Sequence, residues 1–328
     1  MTGIRRREFI ALAGAALLAR PASARPAAYP APARELMATV PGGRLYVRTN
    51  GAGSSAERLP IVLIHGGPGG THGSLLDALA LADERMVILY DQLDGGRSDR
   101  PNDPANWTLA RFVGELEPIR AALGVARWHV LGHSWGGAIA LEYGARRPAA
   151  LAGLVLASPL ISTKAWLSDA NALRGRLPAE VQADLVRCES AAPPPEARCD
   201  AASGAFYQSF NRREPLSQAR RTYTHPEDRG VNLDLYRHMW GASEFVSTGT
   251  LRDYDGAPLL AGLDGPRTLL LVGQHDEARP ITAMAFAEQS PGAELGVIPG
   301  AAHDIFNDRP DETTALLRAW LRRQDERR

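Results

Sequence analysis

Short, unbroken apolar runs recur along this chain at wide intervals, and most of them stop at a glycine or an acid. Residues 61–64 (IVLI) run into His65-Gly66-Gly67-Pro68-Gly69-Gly70, and residues 86–90 (MVILY) into Asp91-Gln92. Residues 128–131 (WHVL) end at Gly132, 154–156 (LVL) at Ala157-Ser158-Pro159, and 269–272 (LLLV) at Gly273. A strand with one wet face alternates apolar and polar positions, so continuous runs predict strands covered by helices on both faces. An earlier strand at 45–47 follows the turn signal Pro41-Gly42-Gly43. Helical spacing fills the intervals. Leu109, Phe112, Val113, Leu116, Ile119 and Leu123 form one stripe, which Pro118 is expected to kink or shorten. Leu316, Leu317, Trp320 and Leu321 form another near the end. Strands alternating with helices predict an α/β fold with a mostly parallel sheet, and sites in such sheets gather at the carboxyl ends of strands. The Gly-rich turns all fall at such ends.

The alternation stops between residues 160 and 255. That stretch is rich in Ala, Arg and Pro and has no strong strand run. At about 95 residues it is too long for a loop in a compact domain. It is expected to be a helical cap, inserted after the sixth strand and folded over the carboxyl edge of the sheet. The core then comprises residues 25–159 and 256–328, with 25–34 (RPAAYPAPAR) as a Pro/Ala-rich linker.

Composition narrows the function classes. The 328 residues carry 37 basic and 37 acidic side chains, which argues against a nucleic-acid surface. Residues 1–24 read as an export signal of the twin-arginine (Tat) type. Arg6-Arg7-Glu8-Phe9-Ile10 opens an apolar run too short to span a bilayer, and Ala22-Ser23-Ala24 is a small-x-small cleavage site. The protein is therefore expected in the periplasm or secreted, without stable membrane insertion. Removing the signal leaves a mildly acidic chain. The two cysteines, Cys188 and Cys199, flank a Pro-rich stretch. An oxidising compartment favours a disulfide over two buried free thiols.

Gly132-His133-Ser134-Trp135-Gly136-Gly137 stands between a predicted strand and a predicted helix. In that context it resembles the nucleophile elbow of the α/β-hydrolases. The turn is too tight for side chains at 132 and 136, and it lifts a serine above the sheet in front of a helix N-terminus. A serine needs a base. Of the eight histidines, His303 lies in a late loop before the last helix and completes the order Ser, Asp, His. Asp276, after the strand 269–272, is the expected orienting carboxylate, with Glu277 as the alternative. The N–H groups of Trp135 and Gly67 are the expected oxyanion donors, glycine allowing close backbone approach. No Lys-Ser/Thr pair follows the glycines of 66–70, which excludes a P-loop. No metal-ligand spacing is present, and the chemistry requires no cofactor.

Taken together, His65-Gly66-Gly67-Pro68-Gly69, Asp91-Gln92-Leu93-Asp94-Gly95-Gly96-Arg97-Ser98 and the Ser134 turn resemble the proline iminopeptidase (prolyl aminopeptidase) family. The cap adds Tyr236-Arg237-His238-Met239-Trp240-Gly241, Glu244-Phe245 and Asp253-Tyr254-Asp255. The resemblance spans residues 60–305. It implies release of an N-terminal residue, often proline, from a small peptide or amide, with acidic cap residues holding the free ammonium. Glu244 matches one of these, and Glu214 is the candidate for another. Within enzymes, an esterase, a lactonase or an amino-acid amidase could use the same triad. Outside enzymes, the alternative is a silent exported binding protein on this scaffold.

Overall fold

The computed structural model describes residues 27–51, 58–190, 194–241 and 244–327. The expected export signal lies outside the described residues. Eight strands form one sheet: β1 (Arg34–Val40), β2 (Gly43–Asn50), β3 (Ile61–Ile64), β4 (Val87–Tyr90), β5 (Trp128–His133), β6 (Leu151–Ala157), β7 (Thr268–Gly273) and β8 (Glu294–Ile298). Their order is β1-β2-β4-β3-β5-β6-β7-β8. The β1–β2 hairpin joins β4 antiparallel, and every other pairing is parallel.

The apolar runs behave as two-sided strands. In β3, Val62 and Ile64 enter one core while Ile61 and Leu63 enter the other, and all four are fully buried. The first core takes Phe112, Leu116 and Ile119 from the helices α1 (Leu109–Val113) and α2 (Leu116–Leu123), and Ile139 from α3 (Trp135–Ala145). The opposite core is closed by Leu317, Trp320 and Leu321 of the last helix, Pro310–Glu326.

Two local expectations need refinement. The stripe from 109 to 123 is two helices, and the break falls one turn ahead of Pro118, which sits inside α2. Proline has no N–H for the carbonyl of Gly114 and its ring crowds that carbonyl, so the helix gives way there. Strand β1 pairs with the expected strand at 45–47 and begins at Arg34, the last residue assigned to the linker. Leu36, Ala38 and Val40 alternate toward the core, a period-2 signal from small and mixed side chains.

Between β6 and β7 the chain forms the helices α4 (Thr163–Arg174), α5 (Ala179–Cys188), α6 (Glu196–Phe210), α7 (Gln218–Thr222) and α8 (Leu233–Met239). Leu173, Leu185, Phe206, Phe210 and Phe245 give this cap its own small core. A disulfide joins Cys188 at the end of α5 to Cys199 in the first turn of α6.

Backbone hydrogen bonds fasten the cap over the carboxyl edge. The Phe210 carbonyl accepts from the N–H of Glu277 (3.1 Å) and of His303 (3.2 Å). The Asn211 carbonyl accepts from Asp304 N–H (2.7 Å), and Gly69 from Asn232 N–H (2.8 Å). The turn beneath the cap is equally tight. A Cβ on Gly132 would stand 2.0 Å from the Gly136 carbonyl oxygen and 2.6 Å from Ala140 Cβ. Gly132→Ala is accordingly expected to lower unfolding stability by roughly 3 kcal/mol or more. Denaturant unfolding checks this, and a loss under about 1 kcal/mol would show that the turn can relax.

Candidate active site

Ser134 joins β5 to α3 with φ 57° and ψ −122°, a conformation that L-residues avoid. Its backbone is held from three sides. The N–H donates to Ala157 (3.0 Å), and the carbonyl accepts from Gly137 (2.8 Å) and Leu160 (3.0 Å). Such a conformation costs on the order of 1–3 kcal/mol and persists because its surroundings over-determine it.

The loop 65–70 passes directly against this serine. A Cβ on Gly66 would lie 3.0 Å from Ser134 Cβ. Gly67 has φ +126°, and a Cβ there would meet the Gly70 nitrogen at 2.6 Å, so only glycine fits. Trp135 turns its indole into the core, donating to Gln92 Oε1 (2.9 Å), while its backbone opens α3. As the first helical residue it has an N–H with no partner inside the helix. Gly67, Ser134 and Trp135 all line one cavity of about 520 Å³, within the range of small-ligand sites.

His303 reaches the same cavity from the loop after β8 and is 5% exposed. Its Nδ1 lies 2.9 Å from Asp276 Oδ1. Asp276 is itself held: Oδ2 accepts from Ser158 Oγ (2.5 Å) and Gly273 N–H (3.1 Å), and Oδ1 from Ala278 N–H (2.9 Å). His133, next to the serine, has Nε2 2.9 Å from the His303 carbonyl, with the two rings 4.7 Å apart. Burial and the neighbouring His303 lower His133 to about 4, so it is a neutral donor there. Serine, histidine and aspartate are thus brought to one place. Among the described contacts no hydrogen bond joins Ser134 to His303. Such bonds often tighten only when substrate arrives.

Two glutamates complete the cavity wall. Glu244 is held by Tyr236 Oη (2.5 Å) and Trp166 Nε1 (3.3 Å). Glu277 is 2% exposed; its Oε1 accepts from Asn211 Nδ2 (2.7 Å) and lies 3.8 Å from His303 Nε2. Its Oε2 is buried without a hydrogen-bond partner among the described residues. Burial, with Glu244 nearby, lifts Glu277 to about 8. Burial alone would lower His303, but Asp276 and Glu277 outweigh it and raise the imidazole to about 9. An ionised Glu277 supports the imidazolium and a protonated one does not, so the two groups hold their protons jointly.

Glu214 requires a correction. Its carboxylate is turned away to Arg309 (2.9 Å), and it is absent from the cavity wall. Its backbone N–H is fixed by Asp308 (2.9 Å), and the half-buried residue lines the depression that adjoins the cavity. Glu277 stands where a second acid was expected. From sequence alone Glu277 is only a substitute for Asp276, and nothing there points to Ser158 or Asn211. The signal for Glu277 was the doublet Asp276-Glu277 itself: neighbours in a tight turn project differently, so one can face the imidazole Nδ1 and the other the cavity. Among the described residues no cluster of His, Cys, Asp or Glu could hold a metal. No helix among them is long and apolar enough to cross a membrane.

The chain is similar in sequence and fold to known proteins. Residues 60–310 match the α/β-hydrolase fold family. A proline iminopeptidase of Heyndrickxia coagulans is 36% identical, aligned over 86% of this chain and 96% of that protein. One from Levilactobacillus brevis is 35% identical over 81% and 89%. The crystal structure of proline iminopeptidase from Mycobacterium smegmatis superposes with a TM-score of 0.80 at 32% identity, covering 90% of this chain and 99% of that one. The crystal structure of VinJ follows at 0.79 and 30%, covering 90% and 100%. With its nucleophile turn, its cap and these relatives, the chain belongs to the proline iminopeptidase family of α/β-hydrolases.

Proposed function

We propose that this protein is a serine aminopeptidase that releases an N-terminal residue, proline foremost, from short peptides or amides through an acyl-enzyme. The observation that carries this reading is the pair Glu244 and Glu277, placed in the wall of the cavity that holds Ser134 and His303. A buried carboxylate oxygen without a partner is costly, and a substrate ammonium supplies both the charge and the hydrogen bonds. Acyl esters and lactones bring no such cation. The relatives' name supports proline as the released residue, and Trp166, Trp240 and Leu160 offer its ring an apolar wall.

The steps follow from the positions. The ammonium settles against Glu244 and Glu277 and cancels the charge that keeps His303 protonated, so the imidazolium gives its proton to solvent. Neutral His303 then takes the Ser134 hydroxyl proton as Oγ adds to the scissile carbonyl. The N–H groups of Trp135 and Gly67 receive the oxyanion. Asp276, fixed by Ser158, keeps Nδ1 protonated and stabilises the new imidazolium. His303 passes that proton to the leaving amine, and water repeats the sequence on the acyl-enzyme.

Export completes the proposal: residues 1–24 act as a twin-arginine leader, and the mature protein works in the periplasm or outside the cell. The paired substitution Arg6→Lys, Arg7→Lys is expected to leave it in the cytoplasm on fractionation. Unchanged export would contradict the leader. For the chemistry, aminoacyl arylamides assayed free and N-acetylated are the direct test. Proline arylamide is expected to be cleaved, its N-acetyl form not. Ser134→Ala abolishes turnover, and Glu277→Gln lowers kcat/KM by roughly 10- to 100-fold. Equal cleavage of free and acetylated substrates would sink the aminopeptidase reading.

A further inference from the structure

The cavity has an electrical polarity along its depth. Its inner wall holds Glu277 and Trp240, 2% and 4% exposed. Its mouth carries the exposed residues Arg212, Val231 and Leu233. A substrate that enters amine-first therefore leaves the rest of its chain pointing toward Arg212.

Arg212 differs from the cations around it. Arg220, also in the wall, is neutralised by Asp304 at 2.8 Å and has Asp77 at 3.8 Å. Arg309 pairs with Glu214, and Arg213 donates to the Ser209 carbonyl. Arg212 fixes only its backbone, whose N–H donates to the Tyr207 carbonyl at 2.8 Å. Among the described residues its guanidinium makes no hydrogen bond or ion pair. A second depression of about 420 Å³ shares Tyr207, Asn211 and Arg212 with the cavity and continues outward past Arg213 and Glu214 to Pro215, the Glu214 charge being taken up by Arg309. The way out thus passes an unpaired guanidinium.

We infer that Arg212 is a specificity residue that binds the free C-terminal carboxylate of a very short peptide while Glu244 and Glu277 hold its ammonium. This rests on the aminopeptidase reading and adds a substrate class to it: zwitterionic di- and tripeptides rather than amidated or long chains. The charges inside the cavity and at its mouth mirror those of such a peptide. Guanidinium suits a carboxylate because its N–H groups form a planar fork. Val231 and Leu233, 55% and 56% exposed, provide apolar surface at the mouth for the second side chain, and covering them shields the ion pair from water. Arg212 touches neither Ser134 nor His303, so it acts on binding and not on the acyl-transfer step.

Steady-state kinetics on prolyl-leucine, prolyl-leucinamide and a proline arylamide test the assignment. The wild-type protein is expected to favour the free acid over the amide by roughly three- to tenfold in kcat/KM, a preference that shrinks as salt rises. Arg212→Ala should erase it by raising KM for the acid alone, with the amide and the arylamide unchanged within about twofold. Arg212→Glu should reverse the order. Equal treatment of acid and amide by the wild type would overturn the assignment, as would an Arg212→Ala protein that loses all three activities alike. A wild-type protein inert toward the arylamide would instead overturn the aminopeptidase reading, and this assignment with it.

Discussion

One buried imidazole is held between two carboxylates drawn from a single turn. Asp276 meets His303 at Nδ1, and Glu277 lies 3.8 Å from Nε2. Both glutamate and histidine are buried, so their charges are weakly screened and their protonation is linked. That linkage ties the proton on the base to the charge on the acid, so whatever changes one changes the other.

The remainder of the fold serves to keep that arrangement closed. The sheet supplies turns at its carboxyl edge, and glycines let those turns crowd together around Ser134. The cap then covers them with short, specific bonds. Both the acid turn and the base loop donate to the same carbonyl, Phe210 at the end of α6. The adjacent Asn211 side chain orients Glu277. One end of one cap helix therefore sets both groups, and the disulfide between Cys188 and Cys199 fastens the opposite end of that helix to α5. The cap is part of the site and not merely a cover over it.

Much of this was legible in the sequence, for physical reasons that vary from element to element. The run IVLI at 61–64 announced a two-sided strand because all four side chains had to be buried. Ser134 was legible because the glycines at 132 and 136 are sterically compelled. His303 and Asp276 followed from chain order and position at strand ends. Strand β1 was hidden because Leu36, Ala38 and Val40 alternate with exposed polar and mixed residues beside a Pro/Ala-rich tail. The place of the second acid in the cavity wall was hidden for a deeper reason. Whether Glu214 or Glu277 faces the cavity depends on where Arg309 and Asn211 stand once the cap is folded, and those contacts join residues 95 and 66 positions apart. Nothing in local composition records them.

The linkage between the buried carboxylates and the general base can be measured in one experiment, an NMR titration of the His303 imidazole with and without saturating L-prolinol. This amine has no scissile carbonyl. In the free protein His303 should titrate near pH 9, and with the amine bound its midpoint should fall toward the ordinary imidazole range. A midpoint of about 6.5 that the amine leaves unmoved would contradict the account.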